Sequence, residues 1–212
     1  MIRAALVSIV CSIALGTFIP AAVLAGPNAD GVLVVSADPW TGSTNCASLQ
    51  RSGYWFDWSD QHYPSPGGDD NIVALYVARS YGDPVSAMGA DVGIEYGEAL
   101  EVISWTHCGY LEVPTPGWPA SGAGTTVVWS PSLLQPNVLV GWFRVNVTMG
   151  LPPAAYEFRG APHPMYDEAR VVSPQGDFDT LWLDSFSVAD FYNPAVPVRP
   201  ETWGRIKAQY GR

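Results

Sequence analysis

Short apolar runs separated by turn residues recur along most of the chain. The clearest is GADVGIEYG (residues 89–97), in which Val92, Ile94 and Tyr96 alternate with small or acidic residues. Such a period of two is typical of a β-strand with one face buried and the other solvated. Comparable runs, rich in β-branched and aromatic residues, predict about ten strands, at residues 31–37, 53–59, 71–80, 89–97, 99–105, 125–130, 137–149, 154–160, 169–173 and 179–188.

This pattern predicts an all-β protein. Many short strands joined by Gly- and Pro-rich turns favour an antiparallel β-sandwich, either Ig-like or a jelly roll. The 21 glycines and 19 prolines fit such a loop-rich fold. They do not indicate disorder, because 48% of the residues are hydrophobic and can build a core.

The first 25 residues have the pattern of a secretory signal peptide. Arg3 precedes an apolar stretch that Pro20 breaks, and small or apolar residues lead to a cleavage site after Ala25. The alternative is an uncleaved membrane anchor, since residues 4–25 carry no charge. We expect cleavage, which leaves one secreted or surface-displayed domain (26–192), with no later segment apolar enough to span a membrane.

The end of the chain, residues 193–212, differs in composition from the rest. NPAVPVRP (193–200) predicts an extended linker, and a short C-terminal helix would place Trp203, Ile206 and Tyr210 on one face, beside Arg205 and Lys207. From residue 199 onward there are four cations and one acid, whereas the body has nineteen acids and five cations. This tail can dock on the acidic body, be recognised by export machinery or by another subunit, or remain frayed.

Two cysteines, Cys46 and Cys108, remain after cleavage. In an oxidising compartment we expect them to form a disulfide, and two buried thiols are the alternative. The formal net charge of −10 argues against nucleic acid or an anionic membrane as a partner, because both carry negative phosphates.

The run GYWFDWS (53–59) is the first candidate ligand site. As a strand, it would place Tyr54 and Trp58 on one face and Trp55 on the other. An exposed ring here could stack on a sugar, so these three residues form a candidate glycan platform. Alternatively, Trp55 packs beneath a neighbouring loop.

The loop after this run is rich in carboxylates. Asp57, Asp60, Asp69 and Asp70 could contribute oxygen ligands to a calcium ion, the one cofactor that the sequence suggests. The spacing of these carboxylates matches no EF-hand, and the residues at 64–68 are equally typical of an ordinary turn.

No sequence motif for catalysis is present in the chain. Four glutamates, Glu95, Glu98, Glu101 and Glu112, are available to a glycan hydrolase, because the geometry of a catalytic acid pair cannot be read from sequence. We expect no enzymatic activity.

Three segments carry a family resemblance: ADVGIEYGEALEVISW (90–105), GTTVVWS (124–130) and VLVGWFRVNV (138–147). Their order resembles secreted bacterial Ig-like sandwiches of the cohesin and carbohydrate-binding type, although Gly97-Glu98 stands where cohesins usually have Asp-Pro. The C-terminal Trp-Gly-x-Ile-Lys-x-x-Tyr is similar to the tails of secreted bacterial proteins, which implies export and surface display.

These observations lead to three functional hypotheses. The first is a secreted or surface-displayed, non-enzymatic module that binds an extracellular protein or contributes to an assembly. The second is a carbohydrate-binding module that uses exposed aromatics, and the third is a glycan hydrolase.

Overall fold

The computed structural model describes residues 26–39, 42–50, 71–79, 82–148, 150–183 and 188–191. They form a β-sandwich with two short helices, α1 (Cys46–Leu49) and a 3₁₀ helix (Pro153–Tyr156), so the predicted fold class is confirmed. The eleven described strands are β1 (Gly31–Pro39), β2 (Asn71–Arg79), β3 (Val85–Tyr96), β4 (Leu100–His107), β5 (Leu111–Pro114), β6 (Gly124–Gln135), β7 (Asn137–Val147), β8 (Glu157–Ala161), β9 (Arg170–Val172), β10 (Phe178–Thr180) and β11 (Val188–Asp190).

The strands belong to two antiparallel sheets. The four-stranded sheet has the order β1-β2-β7-β4, and the seven-stranded sheet has the order β10-β9-β3-β6-β5, with β8 and β11 attached. Strand β3 organises the larger sheet, because it pairs with β6 along one edge and with β9 and then β8 along the other.

The main core lies between the sheets. Alternate residues of each sheet point inward, including the fully buried Val73 of β2 and Ile94 of β3. The sheets meet directly where Phe143 of β7 lies 5.0 Å, centroid to centroid, from Phe158 of β8. Each such large side chain contributes about 1.5–3 kcal/mol when fully buried.

A second apolar cluster lies on the outer face of the four-stranded sheet. We expected each strand to keep one solvated face, but Ile72 and Tyr76 of β2 are as buried as the inward residues. The reason is that residues around α1 lie on this face: Leu49 packs there, and its carbonyl accepts a 2.8 Å hydrogen bond from the Tyr76 hydroxyl. The uninterrupted apolar sequence of β2 is typical of a strand covered on both faces.

The predicted disulfide is confirmed. Cys46 at the start of α1 bonds to Cys108, directly after β4, with the Sγ atoms 1.99 Å and the Cα atoms 5.6 Å apart. Both cysteines pack against the second cluster, so the bond ties the covering segment to the sandwich.

Some predicted strand boundaries are wrong. Strand β5 has no predicted counterpart, because four residues ending in Pro114 show little periodicity. The predicted strand 179–188 is divided, since β10 ends at Thr180, Trp182 forms a separate bridge with Val32, and β11 begins at Val188. The predicted strand 154–160 begins instead as a 3₁₀ helix, for which Pro153 is a favourable first residue.

The predicted signal peptide (1–25), strand 53–59 and the linker and tail (193–212) lie outside the described residues. In the part of the chain that the structure describes, no helix has the length and hydropathy needed to cross a membrane.

Candidate functional site

A row of apolar residues crosses five strands on the outer face of the seven-stranded sheet. Strand pairing places Phe178 of β10 beside Val172 of β9, then Gly89 of β3, Val128 of β6 and Leu111 of β5. We call these five residues the apolar row. Its two ends are open to solvent, because Phe178 is 59% and Leu111 is 51% exposed.

Further apolar side chains flank the row. Val113, two residues after Leu111, is 56% exposed, and Met88 beside Gly89 is 38% exposed. Leu134 pairs with Ser86 and is 71% exposed. Several exposed apolar side chains on one face of a sheet are typical of an interaction surface.

The neighbouring row is polar and largely buried. Asp91 of β3 faces Arg170 of β9 on one side and Thr126 of β6 on the other. The Asp91 carboxylate accepts hydrogen bonds from Arg170 at 3.1 Å (Nε) and 2.7 Å (Nη2), and from the Thr126 hydroxyl. The side chains of Asp91 and Arg170 are only 4% and 15% exposed. Both arginine donors bind Oδ2 and the Thr126 hydroxyl binds Oδ1, so each carboxylate oxygen accepts a hydrogen bond. Charge-assisted hydrogen bonds of this kind are roughly twice as strong as those between neutral groups.

Aromatic rings lie on the Arg170 guanidinium. Its central carbon is 3.7 Å from the centroid of Tyr166 and 4.6 Å from that of Phe178. Each cation–π contact contributes about 0.5–2 kcal/mol. The stack therefore fixes Phe178, one end of the apolar row, against the rest of the sheet.

The loop 162–168 lies on the same outer face, over Gly93 of β3 and Gly124 of β6. An added Cβ at Gly93 would lie 2.1 Å from the carbonyl oxygen of Pro162, and one at Gly124 would lie 2.6 Å from Cδ of Pro164. These two glycines let the loop backbone lie directly on the sheet, since any side chain would hold it away. The apolar row is thus bounded on one side by this loop.

His163 anchors the loop. It is 1% exposed, its ring stacks on Tyr166 at 4.8 Å, and its Nδ1 accepts a hydrogen bond from the backbone amide of Met165 at 3.3 Å. Burial has the largest effect on the pKa of His163 and lowers it. The nearby Asp91 carboxylate raises this pKa, and the Arg170 guanidinium lowers it. The loop is therefore built around a neutral imidazole.

Two of the predicted sites lie outside the described residues. They are the aromatic platform (Tyr54, Trp55, Trp58) with its carboxylate loop (Asp57, Asp60, Asp69, Asp70), and the tail (Trp203, Arg205, Ile206, Lys207, Tyr210). Within the described ranges, no group of three or more histidines, cysteines and carboxylates is placed to hold a metal ion. Calcium binding remains a prediction.

The available acids have diverse surroundings. Glu112 accepts hydrogen bonds from Trp105 Nε1 at 2.6 Å and from the Thr125 hydroxyl at 2.9 Å, so it serves a structural network. Glu101 is exposed and 3.4 Å from the Asn146 amide. His107 is the last residue of β4 and directly precedes Cys108 of the disulfide.

Sequence reasoning missed the apolar row. Its members come from five strands, and only the pairing register brings them together. The alternation of residues 89–97 places Gly89 on the outer face, but no local pattern indicates which residues of the other strands lie beside it.

No protein-family model matches the chain, and no curated protein matches it. Among solved structures, the chain is similar to a cohesin module from a Clostridium perfringens ATCC13124 family 33 glycoside hydrolase, with a TM-score of 0.41 and 13% sequence identity. The alignment covers 72% of this chain and 93% of that module.

Proposed function

We propose that this chain is a secreted, non-enzymatic binding module that holds a protein partner against the outer face of its seven-stranded sheet. The apolar row carries the proposal. It spans five hydrogen-bonded strands and exposes about half of the side chains of Phe178 and Leu111.

The energetics favour a protein partner. Full burial of a large apolar side chain contributes about 1.5–3 kcal/mol, and Phe178, Leu111, Val113 and Leu134 all retain accessible surface to bury. Because every row residue is set in a paired strand, binding orders little backbone and loses little conformational entropy.

The surroundings of the row support the same function. The Asp91–Arg170 pair lies next to the row, and the Arg170 guanidinium stacks on Phe178, which holds this end of the row against the sheet. Glu112, one of four acids considered for hydrolysis, is already engaged by Trp105 and Thr125. The disulfide suits an extracellular location.

Photo-cross-linking would test this face directly. A photoreactive amino acid replaces Leu134, next to the row, or as a control Glu101, which is exposed on β4 of the other sheet. Each of these two proteins, beginning at residue 26, is mixed with cells and extracellular proteins of the organism that it comes from, and the mixture is illuminated. We expect a discrete protein adduct from position 134 only.

Two matched variants complete the experiment. Leu111→Glu places a charge in the row and should abolish the adduct, whereas Ile103→Glu, at a similarly exposed position of β4, should not. A similar adduct from position 101, or one that survives Leu111→Glu, would refute the proposal. An adduct of twice the chain mass would identify a second copy as the partner.

A glycan partner is the second candidate, favoured by the aromatic run 53–59. A pull-down against soluble and insoluble polysaccharides tests it, with the Trp55→Ala/Trp58→Ala variant as control. Binding that the folded variant loses would support it, and binding to none of the polysaccharides would count against it.

A further inference from the structure

A groove of about 650 Å³ lies beside the exposed indole of Trp182, away from the middle of the apolar row. Its lining includes Pro162, Glu168, Phe178 and Leu181. We call it the Trp182 groove. Trp182 is 65% exposed, which is unusual for the largest apolar side chain.

The backbone beneath Trp182 is firmly held. Its amide donates to the Gly31 carbonyl at 2.8 Å, and its own carbonyl accepts from the Leu33 amide at 3.1 Å. The adjacent Leu181 amide donates to the Ala169 carbonyl at 2.8 Å. The indole is therefore presented from an ordered platform between β1 and the loop before β9.

The groove has an acidic rim. Among the described residues that line the groove are three carboxylates, Asp167, Glu168 and Asp179, and no arginine or lysine. Asp179 is buried and accepts a hydrogen bond from the Asn28 amide, whereas Asp167 is exposed. An apolar floor with an acidic rim suits a ligand that carries both aromatic and cationic side chains.

We propose that the C-terminal segment 203–212 of the same chain occupies the Trp182 groove. This segment has the matching chemistry, with Trp203, Ile206 and Tyr210 as apolar residues and Arg205 and Lys207 as cations. From residue 199 onward the chain carries four cations and one acid.

The chain leaves the sandwich within reach of the groove. The backbone amide of Phe191, the residue after β11, donates to the carbonyl of Tyr156, the residue before β8. The far end of β8 leads to Pro162 in the groove lining. At about 3.3 Å per residue, β8 spans about 17 Å, whereas residues 192–202, at about 3.1 Å per residue, can cover about 34 Å.

Cysteine cross-linking tests the location. The chain from residue 26 onward carries Gln209→Cys in the tail, together with Leu183→Cys in the groove or Ser104→Cys as control. Ser104 is exposed on β4, about 13 Å from Leu100. Leu100 lies at the end of the sandwich where the chain leaves after β11, so the tail can reach Ser104 as well as it can reach the groove. With a short bismaleimide, and the native disulfide verified by mass, we expect the groove cysteine to link to the tail preferentially.

Charge variants test the chemistry. Asp167→Asn/Glu168→Gln should lower the groove cross-link about fivefold, as expected for the loss of exposed ion pairs. Glu98→Gln/Glu101→Gln removes two exposed acids elsewhere and should leave it unchanged. Circular dichroism and the melting temperature confirm that each variant is folded.

Three results would overturn the proposal. The first is equal cross-linking to Leu183→Cys and Ser104→Cys, and the second is an equal loss in both neutralised variants. The third is a cross-link between chains, detected by mixing ¹⁵N-labelled and unlabelled protein, which would place the tail of a second copy in the groove. The groove shares Phe178 with the apolar row, so the partner-binding face is tested separately at Leu111, the opposite end of the row.

Discussion

Replacing Asp91 by asparagine should destabilise the protein far more than an ordinary surface substitution. The Asp91 carboxylate is the nearer of two counter-charges of the Arg170 guanidinium, at 2.7 Å against 3.8 Å for Glu168, and this guanidinium is only 15% exposed. Because the rings of Tyr166 and Phe178 both lie against the Arg170 guanidinium, Arg170 cannot move into water without losing these contacts. Breaking a buried pair by removing one partner costs about 3–5 kcal/mol, and we expect this loss of unfolding free energy for Asp91→Asn.

The complete experiment is a double-mutant cycle. Arg170→Met keeps the long aliphatic side chain and removes the charge, so Asp91 retains only the Thr126 hydroxyl among these partners. This variant should also lose about 3–5 kcal/mol. The double variant leaves no unpaired charge and should lose at least about 2 kcal/mol less than the sum of the single variants.

Urea unfolding monitored by circular dichroism provides the free energies, and an unchanged m-value verifies that the compared states are equivalent. The matched control is the Glu157–Arg159 pair on β8, where the arginine is 46% exposed. Its disruption should cost less than about 1 kcal/mol. The reasoning is refuted if the losses at Asp91 and Arg170 add to within about 0.5 kcal/mol.

Three further predictions concern stability. Cys46→Ser/Cys108→Ser should lower the free energy of unfolding by about 4 kcal/mol, since the bond joins residues 62 apart; a loss under about 1 kcal/mol in urea titrations would contradict this. Gly93→Ala should lower the free energy of unfolding by about 1–3 kcal/mol and expose the loop 162–168 to proteases, because the added methyl group would overlap Pro162. A loop that is cleaved no faster than in the unmodified protein would argue against this packing. Burial lowers the pKa of His163, so the unfolded chain binds the proton more readily than the folded one, and the free energy of unfolding should fall as the pH drops from about 7.5 to 5.5. His163→Asn should flatten this dependence of the unfolding free energy on pH, and an unaltered dependence would exclude His163 as its source.

The strand pattern of the chain was predictable to a considerable extent. The alternation in residues 89–97 correctly placed Val92 and Ile94 in the core, because a strand with one buried face needs apolar residues at every second position. The disulfide was also predictable, since two cysteines in an oxidised chain have one possible pairing.

The same alternation was misleading for Asp91. It correctly assigned Asp91 to the outer face, yet this side chain is nearly inaccessible because Arg170, 79 residues further along, lies on it. Strand β2 shows a similar effect, since the segment around α1 buries a face that periodicity alone would leave in water. In both cases the residues that bury the outer face come from a distant part of the chain. A local sequence pattern does not encode such long-range contacts.

By itself, the sequence determined the fold class, the approximate positions of most strands and the cysteine pairing. Each of these depends on local periodicity, turn chemistry or simple counting. Only the tertiary structure decided which outward residues are exposed and which lie together. The apolar row and the Trp182 groove both depend on strand register and on chain segments far apart in sequence, and a shift of one residue would turn every side chain of a strand to its other face.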